Sequence, residues 1–113
     1  MAAVAYDEDL ANRLREQLSG ASYTEKKMFG GLAFLIGGNM AVAASGQGGA
    51  LVRIDPEESD QLVAKTNAQV MVMRGRAMRG WLRVDTNDLG TKRQLAKWVD
   101  LGTAYARSLP AKR

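Results

Sequence analysis

The sequence contains no cysteine and no histidine among its 113 residues. Without cysteine the chain has no disulfide and no thiolate nucleophile. Without histidine it lacks the usual general base near neutral pH and the commonest transition-metal ligand. A catalytic serine would need a Ser–Lys arrangement, and no lysine is placed to suggest one. These absences favour a protein that is not an enzyme and that carries no metal and no cofactor.

Long apolar runs are also missing from the chain. No apolar segment reaches the roughly 18 residues that a membrane-spanning helix needs. The apolar N-terminus has no basic start and is interrupted by the acids of Asp7–Asp9, so it does not read as a secretory signal. We therefore expect no membrane association and a cytoplasmic location.

Length and composition are those of an ordinary globular domain. Apolar residues make up 46% of the chain and charged residues 25%. A chain of this length can bury one core but is too short for two, which predicts a single domain over residues 1–113.

The net charge of +4 is unevenly distributed along the chain. Residues 1–60 carry five Lys/Arg and nine Asp/Glu, whereas residues 61–113 carry eleven and three. One interpretation is that the two halves neutralise each other in the fold. The other is that the basic half offers a positive face to an anionic partner.

The segment from Lys26 to Met40 contains the longest apolar run, and glycines break it. This pattern predicts tight turns between buried strands and not a helix. Leu32–Ile36 is apolar on both faces, which predicts a strand covered on both sides. Gly37–Asn39 predicts a hairpin turn, because glycine and asparagine tolerate positive φ. Neither this segment nor Gly48–Gly49 fits a phosphate-binding loop.

Three segments predict helices. Apolar residues repeat at helical spacing over Leu10–Leu18, behind the capping acids Asp7 and Asp9. Asp55 followed by proline predicts a short second helix, with Glu58 placed as in a capping box. The acids there match no calcium loop, so helix capping explains them better than cation binding.

The third helix is predicted from near Thr91 to just before Pro110. Strand-like runs joined by short turns lie between the helices, with the last strand predicted at Trp81–Asp85. The predicted fold class is α+β: a single domain with an antiparallel β-sheet meander, an N-terminal helix, a short middle helix and a long C-terminal helix packed on it.

The most distinctive local feature is an arginine-rich segment at 74–83. Its candidate contact residues are Arg74, Arg76, Arg79, Arg83 and Trp81. Arginine offers a bidentate fork to phosphate and tryptophan offers a stacking face, which favours contact with nucleic acid or an acidic protein. The alternative is that the arginines pair with the acidic half while Trp81 packs under a helix, with Arg83 stacked on it.

Several segments together resemble the N-terminal domain of the TfoX/Sxy family. They are Lys27-Met28-Phe29-Gly30-Gly31, Asn39-Met40 after a second glycine turn, Leu51–Asp55, Gly80-Trp81 and the helix around Leu95–Val99. The resemblance covers about Leu10 to Leu109. It implies a small α+β domain with an antiparallel sheet and flanking helices, without catalytic residues.

Members of this family are associated with the regulation of natural competence, alongside transcription factors. Its competence regulators carry a second, C-terminal helical domain, and this sequence stops at Arg113 without one. We therefore expect a stand-alone copy of the N-terminal domain.

We expect a non-enzymatic binding or regulatory module that engages a protein partner in transcriptional or competence-type regulation. The first alternative is direct nucleic-acid binding through the arginine-rich segment. The second is an enzyme or small-ligand carrier, which a deep polar pocket would favour. A free sheet edge would also allow a homodimer.

Overall fold

The computed structural model describes residues 6–28 and 30–111. The helices are α1 (Glu8–Gln17), α2 (Pro56–Lys65) and α3 (Lys92–Ser108). The strands are β1 (Thr24–Met28), β2 (Gly31–Ile36), β3 (Asn39–Ala44), β4 (Ala50–Arg53), β5 (Gln69–Met73) and β6 (Arg76–Val84). This arrangement confirms the predicted α+β class. In the described part of the chain, no helix has the length and apolar character needed to cross a membrane.

The six strands that the structure describes form one antiparallel sheet in the order β1-β2-β3-β4-β6-β5. The first four strands follow one another as the predicted meander. Gly37 and Gly38, with φ of 61° and 81°, form the turn between β2 and β3, because a two-residue hairpin favours positive φ. After α2 the chain adds β5 at the far edge, and β6 then returns between β5 and β4.

The helices cover one face of the sheet. A row of directly paired residues marks this face across all six strands: Glu25, Phe34, Val42, Val52, Leu82 and Val70. Directly paired residues project to the same side. α3 packs on β2, β3 and β4, α1 packs on α3, and α2 packs on β6. The main core, which includes Leu10, Leu14 and Trp98, lies between these layers.

Polar side chains cap the helices at the predicted starts. The Asp7 carboxylate accepts from the Leu10 N–H at 3.2 Å, and that of Asp55 accepts from the Glu57 N–H at 2.9 Å. The reciprocal capping box forms at α3, where Thr91 Oγ1 accepts from the Gln94 N–H and the Gln94 side chain accepts from the Thr91 N–H. At α2, where Glu58 was predicted to complete a capping box, only the Asp55 cap forms. The capping box lies at the start of α3 instead.

The predicted boundary of the last strand is wrong by five residues, because β6 begins at Arg76 and not at Trp81. Val70 pairs with Leu82 but the next residue, Met71, pairs with Met78, which leaves three residues of β6 bulged out. Gly80 lies in this bulge with φ 88°. Its permissive backbone lets the strand bend without ending, so most of the arginine-rich segment is strand.

We predict that Glu25→Gln lowers stability near neutral pH and has no effect in acid. Glu25 accepts two hydrogen bonds from the Arg15 guanidinium, at 2.7 and 2.9 Å, and these hold the pKa of the carboxyl below its ordinary value. A lowered folded-state pKa contributes stability above the unfolded pKa of about 4.3, and this stability is lost as pH falls through the folded value. Since the two side chains are 38% and 32% exposed, solvent screening limits the effect to about 0.5 kcal/mol.

Urea unfolding of the wild type and Glu25→Gln at about pH 7 and about pH 2 measures this difference. Glu16→Gln removes another exposed acid, on α1, and is the matched control. A Glu25→Gln loss of equal size at both pH values would contradict the ion-pair explanation.

Candidate functional site

The sheet face opposite the helices carries a second row of paired residues. The row runs Lys26, Ala33, Ala43, Leu51, Arg83 and Gln69 across the six described strands. We call the face that these residues share, together with the paired Arg53 and Trp81 and the paired Met73 and Arg76, the open face. Its central residues are nevertheless buried, with Ala33 at 0%, Ala43 at 4% and Leu51 at 5% exposed. Side chains from the sheet itself cover them.

A cavity of about 350 Å³ opens on this face. Met28 of β1 lines one side and Met71 of β5 the other, with Ala43 and Leu51 between them. β1 and β5 are the opposite edges of the sheet. Because both edges line one cavity, the sheet must curve around it, as twisted antiparallel sheets do. We refer to this space as the open-face cavity.

The structure brings three of the four predicted arginines to this side of the sheet. Arg74 and Arg83 line the open-face cavity. Arg76 pairs with Met73, another cavity residue, and so projects to the same face. Within residues 6–28 and 30–111, these three guanidinium groups have no ion pair and no side-chain hydrogen bond.

Arg79 is the predicted residue that the structure separates from the others. Its Nη2 donates to the Pro56 carbonyl at 3.1 Å and lies 4.0 Å from an Asp60 carboxylate oxygen. Both charged side chains are largely exposed. Among the described arginines of the 74–83 segment, pairing with the acidic half is therefore confined to this weak contact.

Trp81 packs against the buried residues of the open face, in contrast to the expectation that it lies beneath a helix. Arg53, its direct cross-strand partner, places its guanidinium carbon 4.9 Å from the Trp81 ring centroid. The same carbon lies 5.5 Å from the ring centroid of Tyr105 on α3. The Arg53 guanidinium thus lies within cation–π distance of one ring from the sheet and one from α3, and it adds a positive charge beside the tryptophan.

The residues that line the open-face cavity include two arginines and no Asp or Glu among those described. Lys26 adds a further exposed cation at the β1 edge. The open face therefore combines an apolar floor with positive charge that the described lining does not neutralise. Such a surface suits a ligand or partner that is both apolar and anionic.

A second, more polar cleft of about 600 Å³ lies beside Arg83, at the end of β6. Its two carboxylates already accept hydrogen bonds: Asp85 from the Asn87 N–H at 3.3 Å, and Asp88 from the Asn67 side chain at 3.1 Å. No group of three or more His, Cys, Asp or Glu side chains in the described ranges could hold a metal ion. The cleft thus offers hydrogen-bond donors and acceptors rather than a metal centre.

Sequence reasoning missed Arg53 and the cavity methionines Met28, Met71 and Met73. Alternation along β4 places Leu51 and Arg53 on one face, but it does not reveal what lies opposite. Arg53 meets Trp81 because β6 inserts beside β4. The missing signal was therefore the strand order, which no local pattern contains.

The glycines at the start of β2 and in the loop after β3 serve close packing of the backbone. A Cβ at Gly31 would overlap the carbonyl oxygen of Ala44, and one at Gly46 would overlap that of Gly30. These glycines let the loop after β3 sit directly on the start of β2. Phe29, in the middle of the Met-Phe-Gly-Gly segment, lies outside the described residues.

A family model described as the TfoX N-terminal domain matches residues 2–106 of this chain. The match extends from before α1 into the last turns of α3, so it includes all six described strands of the sheet. A search of curated proteins found no match.

Proposed function

The chain belongs to the TfoX N-terminal domain family, and from this premise we propose that it is a non-enzymatic binding module that acts through protein–protein contacts in transcriptional or competence-type regulation. We place it in the cytoplasm. The partner contacts the β5–β6 hairpin at the edge of the sheet and its arginines.

One observation carries this proposal: the hairpin presents apolar and cationic groups together at the surface. Val72 is 63% exposed, and Arg74 and Arg76 are exposed beside it without a described ion-pair partner. Arginine is enriched at protein contact sites. Because Arg74 and Arg76 lack a charge partner among the described residues, we propose that the partner surface is acidic.

The test is quantitative capture of partners from native lysate with the wild type and with a charge-reversed hairpin. We expect Arg76→Glu with Arg79→Glu to reduce recovery of a stoichiometric partner at least about tenfold, because the reversed charges repel an acidic surface. Lys92→Glu with Arg93→Glu makes the same charge change at exposed residues of α3 and is the control. Equal recovery with both double variants, or no stoichiometric partner with the wild type, would contradict the proposal.

Direct nucleic-acid binding through the same arginines is the second candidate. Each phosphate contact steepens the log–log salt dependence by roughly 0.9 for duplex DNA, so three contacts give a slope of about −2.7. Titration of labelled DNA and RNA at two salt concentrations measures it. Absent or salt-independent binding, or no change in Arg76→Ala with Arg79→Ala, would reject this candidate.

A further inference from the structure

We propose that the open-face cavity binds a small amphipathic anion, with an apolar body of alkyl or aryl groups and one carboxylate head. This inference goes beyond the proposed partner contact, which shares Val72 and Arg74 with the cavity but is tested at Arg76 and Arg79. Neither of those two residues lines the cavity. The two proposals can therefore fail separately.

The size and lining of the cavity fit the apolar body of such a molecule. Its volume of about 350 Å³ lies at the lower end of the roughly 300–1,000 Å³ typical of small-molecule sites. Met28, Met71 and Met73 form its sides, with Leu51 at its floor. Methionine side chains are flexible and polarisable, so they adapt to alkyl and aryl groups of different shape.

The charge of the lining fits the anionic head. Arg74 and Arg83 both reach the cavity, and neither has an ion pair in the described chain. On the sheet, Arg83 lies between Leu51 and Gln69, which are uncharged, and it also borders the polar cleft, whose carboxylates already accept hydrogen bonds. An arginine–carboxylate pair is a strong, charge-assisted contact.

Size also argues for a small molecule rather than a helix of another protein. One helical turn about 10 Å wide and 5.4 Å long already occupies more than about 400 Å³. That exceeds the cavity volume of about 350 Å³. A helix would therefore rest on the rim and leave the methionine-lined space unfilled.

Decanoate, used below its micelle concentration, is the probe, and decanol is its uncharged counterpart with the same chain. We expect decanoate to bind saturably with one site, to raise the melting temperature, and to shift the methyl NMR signals of Met28, Met71 and Met73. Decanol should bind at least about tenfold more weakly, because it cannot pair with the guanidinium groups. Absence of saturable decanoate binding, or equal binding of decanol, would overturn the proposal.

The variant that tests the head-group contact is Arg74→Asn with Arg83→Gln. Asparagine is chosen because residue 74 has φ 54°, which asparagine tolerates. We expect about a tenfold loss of decanoate affinity with unchanged decanol affinity. Arg76→Gln with Arg93→Gln removes the same charge outside the cavity and should stay within about twofold of the wild type.

Equal losses of decanoate affinity in the two double variants would mean that only the net charge matters and not the position of the arginines. That result would overturn the proposal. If Arg74→Asn with Arg83→Gln does not fold, Arg83→Gln alone keeps the turn intact and decides the same question. A failure of partner capture would leave the decanoate results unchanged.

Discussion

Phe34→Ala is expected to lower the free energy of unfolding by about 4 kcal/mol. Phe34 is 0% exposed and lies on the helix face of β2, paired with Glu25 of β1 and Val42 of β3. Its ring meets that of Tyr23 at a centroid distance of 5.7 Å. Truncation removes the aromatic contact and leaves a cavity that the surrounding backbone can fill only in part. Chemical denaturation measures the loss as a shift of the midpoint at constant slope.

Leu35→Ala is the matched control, since it truncates the next residue of the same strand on the opposite face. Leu35 is half-buried, so its side chain gives up less apolar surface to water on truncation. We expect a loss of about 1.5 kcal/mol. Losses of similar size for the two variants would contradict the assignment of the main core to the helix face.

The strand that holds these two residues shows what local pattern can predict. Side chains alternate across a strand, so an apolar run with turn signals at both ends indicates burial on both faces. In the structure, Phe34 enters the core under the helices, whereas Ala33 and Leu35 belong to the cluster on the open face. The helix starts were predictable for the same reason, because the caps at Asp7 and Asp55 involve neighbours within three residues.

The candidate site could not be predicted in this way because distant segments build it. Met28 and Met71 face one cavity through the curvature of the whole sheet, and Arg53 meets Trp81 through the insertion of β6.

The composition allowed two interpretations of the basic second half: neutralisation by the acidic first half, or a positive face for an anionic partner. The closest ion pair in the described chain, between Arg15 and Glu25, lies within the acidic half. The contact between Arg79 and Asp60 joins the two halves but is weak, so in the described chain they neutralise each other little.

Gly102→Ala is expected to destabilise the protein by about 3 kcal/mol, opposite in sign to the usual effect in a helix. Alanine normally stabilises a helix interior relative to glycine by about 1 kcal/mol. Here α3 lies so close to β3 that a Cβ at residue 102 would overlap the Ala41 carbonyl oxygen, with Val52 Cγ1 3.3 Å away. A backbone oxygen cannot rotate aside, so α3 must lift from the sheet. Thermal and urea unfolding measure the loss.

Gly90→Ala is the control for this substitution. Gly90 has φ −70°, and the nearest atom to an added Cβ is Gln94 Oε1 at 3.8 Å. The same chemical change should therefore be neutral or stabilising by up to about 1 kcal/mol, through the smaller entropy of the unfolded chain.

Gly102→Ala should also disturb the contact between Tyr105 of α3 and Arg53, because α3 lifts from the sheet. A neutral Gly102→Ala would mean that the helix is not seated on β3 at this distance.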